Sequence, residues 1–139
     1  MALPSFEDPP VPVRLKLAAL WTSLMSCYIY GDYFGLYVPG KLQGVLNGDG
    51  PIGPTSQGTL VGASMLLAAP ALMIALSLLL PVRACRIVTI ILGIFYTLVM
   101  AATMTDAWWF YKAMGVIEMT ISLITVGLAW RWPRVASTV

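Results

Sequence analysis

Two acidic side chains, Asp32 and Glu118, interrupt long apolar stretches at opposite ends of the chain. Asp32 stands in Tyr28-Ile29-Tyr30-Gly31-Asp32-Tyr33-Phe34-Gly35, among tyrosines and glycines. Helical spacing gives each acid neighbours. Trp21, Met25, Tyr28, Asp32 and Gly35 follow one another in steps of three or four, and so do Tyr111, Gly115, Glu118, Ser122 and Thr125. Thr89, Gly93, Tyr96, Met100 and Thr103 form a third such stripe. Residues three and four apart share a helix face. Carboxylates on such faces, with the phenols of Tyr28 and Tyr96 and the ammonium of Lys112 nearby, can bind a cation, exchange a proton or fasten helices together. Lipid penalises these faces, so they should turn toward one another. The predicted site is an outward-facing polar pocket built from Asp32, Glu118, Tyr28, Tyr96 and Lys112. Asp32 should lie roughly 8 Å and Glu118 roughly 13 Å below the outer ends of their helices, at 1.5 Å per residue.

Other chemistries lack their residues. The chain has no histidine, the commonest general base and metal ligand, so a serine triad of the usual kind is excluded. Two cysteines, Cys27 and Cys85, cannot complete a four-ligand zinc site, and their different depths argue against a disulfide. Asn47 and Asp49 lack the further spaced carboxylates of a calcium loop. The methionines recur at helical spacing and read as packing. No glycine-rich phosphate loop is present. The sequence therefore implies no catalytic residue, no metal and no cofactor, and it favours a protein that is not an enzyme. A net charge of +2 gives no reason to expect nucleic acid.

The elements that must carry these residues follow from composition. Apolar residues make up 59% of the chain and charged ones only 10%, against roughly 25% charged in soluble domains. Lipid is then the expected outer solvent. The acidic, proline-rich start lacks the features of a secretory signal, so the first apolar run is read as a retained span. Four spans are expected, at about 17–38, 57–80, 86–104 and 107–130, with a Gly/Pro-rich outer loop at 40–56. Thr55 or Ser56 should cap the second span and Thr105 or Asp106 the fourth. Pro70 should kink the second. Gly58 and Gly62 have the small-xxx-small spacing of a close helix contact and offer a face for self-association. Leu42, Val45 and Leu46 suggest a short amphipathic turn on the membrane surface. Six basic residues (Arg14, Lys16, Arg83, Arg86, Arg131, Arg134) lie at one set of span ends, and Lys41 and Lys112 at the other. That asymmetry puts both termini in the cytoplasm. The expected fold is all-α: one domain over residues 1–139, an up-down bundle of four transmembrane helices.

Tyr28-Ile29-Tyr30-Gly31-Asp32-Tyr33-Phe34, Pro39-Gly40, Glu118, and Ala129-Trp130-Arg131-Trp132-Pro133 together resemble a family of small bacterial four-helix membrane proteins of unknown function. The resemblance covers most of the chain. It implies a multi-pass protein of the bacterial inner (plasma) membrane and lends no activity. The first functional expectation is a membrane protein whose pocket binds or transports a small ligand, cation or proton. The alternative is an accessory or structural subunit of a membrane complex with no ligand of its own. An intramembrane enzyme acting on a lipid or quinone ranks third. Expected partners are the lipid bilayer and either further copies of the chain or a larger membrane complex.

Overall fold

A computed structural model describes residues 8–50, 53–105 and 107–133. Four long helices dominate: α1 (Val13–Gly35), α3 (Gln57–Leu79), α4 (Val82–Thr103) and α5 (Trp109–Trp130). The short helix α2 (Lys41–Leu46) and a two-residue hairpin, β1 (Asp49–Gly50) with β2 (Gly53–Pro54), fill the connection between α1 and α3. The long helices have 22 or 23 residues, or about 33–35 Å at 1.5 Å per residue, against about 30 Å of bilayer hydrocarbon. α3, α4 and α5 are each long and apolar enough to cross a membrane. α1 has the length, but Arg14, Lys16 and the Tyr30-Gly31-Asp32-Tyr33 segment lower its mean hydropathy.

Local chemistry sets the ends. Pro12 and Pro81 precede α1 and α4, where a missing N–H costs nothing. α1 thus starts at Val13 and α4 at Val82, four residues ahead of the expected spans. α1 also stops early. Leu36, Tyr37 and Val38 donate to the carbonyls of Tyr33, Phe34 and Gly35, a tightened last turn. Ser56 caps α3 in a reciprocal capping box with Thr59. α5 starts after Trp108, later than expected. Thr105 instead bonds back to Ala102 of the preceding helix, and Asp106 lies outside the described residues.

The long helices alternate in direction. At one end Leu17, Cys85 and Ala129 form a buried cluster with Val13, Leu80 and Trp132 around it. Two arginines tie this end together: Arg14 donates to the Leu78 carbonyl, and Arg86 to those of Ala129 and Trp130. Each supplies a positive donor to the unsatisfied carbonyls of a helix C-terminus. A second cluster, Trp21, Leu24, Met73 and Tyr96, fills the middle. Cys27 and Cys85 are both free thiols.

α1 packs against α3 and α5, and α4 against α5. Glycine makes the α4·α5 contact close. A Cβ at Gly93 would collide with Val126, and one at Gly115 would come within 2.6 Å of the Met104 sulfur. Gly58 and Gly62 make no such contact. Both are exposed, and nothing lies within 4 Å of a Cβ built on Gly62. Consecutive helices α3 and α4 touch least among these neighbours, although only Leu80 and Pro81 separate them.

Candidate functional site

The site begins with the direction in which helical side chains lean. Each Cα–Cβ bond tilts toward its own helix N-terminus. α1 and α5 run oppositely, so Asp32 near the end of α1 leans inward and Glu118 in α5 leans outward. They converge. A Cβ built on Gly31 would sit 3.7 Å from Glu118 Oε1, an ordinary contact distance, so the Glu118 carboxyl abuts α1 at Gly31.

Around them lies a cavity of about 390 Å³, within the usual range for small-molecule sites. α1 contributes Tyr28, Gly31 and Asp32; α5 contributes Tyr111 and Glu118. α3 supplies Ala63, Leu66 and Leu67, and α4 supplies Tyr96, Val99, Met100 and Thr103. The walls are mostly apolar, with the acids on one side.

The two acids differ. Glu118 is buried, at 3% exposure, and its Oε2 has no hydrogen-bond partner among the described residues. Asp32 is exposed. It lies in the last turn of α1, three residues before Gly35, so it is shallower than expected. The early end of α1 accounts for this.

The tyrosines divide the same way. Tyr28 and Tyr96 face each other with ring centroids 6.0 Å apart. Tyr96 is not a free donor: its hydroxyl donates to the Leu66 carbonyl. Leu66 precedes Pro70 by four residues, and proline has no N–H to complete that helical bond. The Tyr96 hydroxyl replaces the missing donor and pins α4 to α3 beside the cavity. Tyr30, Tyr33, Phe34 and Tyr37 form an exposed aromatic cluster on the outer end of α1, with Tyr33 and Tyr37 hydroxyls 2.7 Å apart.

Lys112 does not join the site. Its ammonium sits over the Trp109 ring, 5.5 Å from the centroid. At 100° per residue, six residues separate Lys112 from Glu118 by about 120° around α5, whereas Tyr111 shares the Glu118 face. Among the described residues, the cation that shares a cavity lining with Asp32 is Lys41. It lines a vestibule of about 600 Å³ beside the C-terminal end of α1 that shares Gly31, Asp32, Thr103 and Tyr111 with the cavity and is also walled by Val45, Gly50 and Trp108. Sequence reasoning passed over Lys41 because it follows the Pro39-Gly40 break. Gly40, at φ 81°, lets the chain reverse there and lay α2 at the mouth. Tyr111 was visible in the helical stripe. Among the described residues no cluster of metal-binding side chains occurs.

The chain matches the model for a family of unknown function, DUF6326, over residues 12–138, and belongs to that family. No curated protein and no solved structure matches it.

Proposed function

We propose that the chain is an integral membrane protein whose four long helices form an up-down bundle with both termini in the cytoplasm, and that its cavity binds a small cation entering from the outer side. Glu118 carries the charge recognition. Asp32 and Lys41 stand at the rim, and Tyr28 offers an aromatic face.

The membrane setting is supported by the outward surfaces of the helices. Leu72, Ile91, Leu98 and Val116 are more than half exposed, a cost in water that lipid removes. The single observation carrying the binding site is the partnerless Oε2 of Glu118. Leaving a buried polar group unpaired costs about 1–3 kcal/mol, and more when it is charged. Such groups in native structures have a reason. A bound cation supplies the countercharge, pairing the oxygen electrostatically even where its nitrogen is quaternary and has no hydrogen to donate.

Calorimetry with tetramethylammonium on the protein in lipid nanodiscs tests this. Wild type should take up one equivalent, Asp32→Asn should bind more weakly, and Glu118→Gln should not bind while keeping its helix content and unfolding midpoint. Unchanged uptake by Glu118→Gln, or none by wild type, overturns the reading. An accessory subunit would instead co-purify with a partner protein, and both substitutions would loosen that assembly.

A further inference from the structure

Accepting the cation site proposed above, we infer that its ligand is a lipophilic ammonium ion, an amine or quaternary nitrogen bearing a hydrocarbon chain, that enters sideways from the bilayer between α3 and α4.

The cavity is asymmetric in its chemistry. Glu118 and Asp32 stand on the α1 and α5 side. The opposite wall presents Ala63, Leu66 and Leu67 from α3 and Val99 and Met100 from α4. A hydrated inorganic ion gains nothing from that wall, whereas a hydrocarbon chain fills it. The partnerless, buried Glu118 oxygen fixes where the positive end sits.

The same wall is where the helices separate. α3 and α4 leave a two-residue link together and then have the least contact of the neighbouring pairs. Pro70, inside α3, lies between that link and the cavity. The Tyr96 hydroxyl bonded to the Leu66 carbonyl joins the two helices and forms the cavity floor on this side. Leu67, exposed at the level of this floor, and Ala63, one turn nearer the start of α3, continue the apolar wall. An amphiphile in the outer leaflet already holds its chain at that depth and its charge near the rim. It can therefore slide in without crossing water.

The test compares tetramethylammonium with octyltrimethylammonium in nanodiscs, after subtracting uptake by empty discs. The octyl compound should bind at least tenfold more tightly to wild type. Leu67→Trp, which fills the apolar wall where the chain would lie, should cost the octyl compound about tenfold more affinity than it costs tetramethylammonium. Ala63→Leu, a smaller intrusion, should act in the same direction and serves where the tryptophan variant fails to fold. Equal affinity for the two probes, or octyl binding indifferent to both substitutions, overturns the lipophilic-ligand inference while leaving the cation site standing. Failure of both probes to bind wild type removes the cation site itself.

Discussion

At the scale of single residues, Tyr96 shows how an apparent binding group is already committed. Its hydroxyl replaces the backbone donor that Pro70 cannot supply to Leu66. Removing it leaves a carbonyl without its partner, at a cost of about 1–3 kcal/mol. Tyr96→Phe should therefore destabilise the protein by that amount in a detergent unfolding titration. In a Pro70→Ala background the helix regains its own donor at position 70, and the same substitution should cost well under half as much. A cycle with no coupling would reduce Tyr96 to a packing residue. The helical stripe marked Tyr28, Tyr96, Asp32 and Glu118 in the sequence, because a period of 3.6 identifies faces. It could not identify which hydroxyl was already bonded, since that depends on a carbonyl thirty positions away in the chain. The same limit applies to Lys112. Nearness in height suggested it, but its angular position on α5 turns it to Trp109.

At the scale of elements, close packing depends on which glycine meets a neighbour. Gly58 and Gly62 have the spacing associated with helix contact, yet they remain exposed. Gly93 and Gly115, which have no second glycine four residues away, hold α4 against α5. A spacing rule describes one helix and contains no information about its partner, whereas the polar stripes that carry Gly93 and Gly115 marked the faces that meet. The start of α3 was legible because the Ser56–Thr59 pair acts locally, whereas α1 and α4 begin directly after Pro12 and Pro81, four residues before the expected spans. The two glycines should differ in tolerance. A methyl at Gly93 strikes Val126, whose β-branched side chain is stiff, and overpacking there should cost about 1–3 kcal/mol. A methyl at Gly115 meets the sulfurs of Met104 and Met100, ends of flexible side chains that can move aside. Gly93→Ala should lower the unfolding midpoint clearly and Gly115→Ala only slightly. Equal losses would mean that the α4·α5 seam yields as a whole.

At the scale of the whole molecule, the direction in which the cavity opens rests on charge. Arg14, Lys16, Arg83, Arg86 and Arg131 lie at the helix ends gathered around Leu17, Cys85 and Ala129, and Lys41 and Lys112 at the other ends. Arg14 and Arg86 also bond to helix carbonyls at that first end, which uses their donors without removing their charge. The excess therefore persists, and the first end should face the cytoplasm. The vestibule, α2 and Asp32 then face outward. This can be measured with Cys27 and Cys85 both replaced by alanine, so that a single new thiol reports its side. Gln43→Cys in exposed α2 should react with a membrane-impermeant maleimide in intact right-side-out vesicles, and Arg83→Cys only after the vesicles are opened. Losing one positive charge at Arg83 leaves Arg14, Lys16, Arg86 and Arg131 in place at that end. Labelling in the opposite order would turn the cavity to the cytoplasm, and a cationic ligand would then have to come from the inner leaflet.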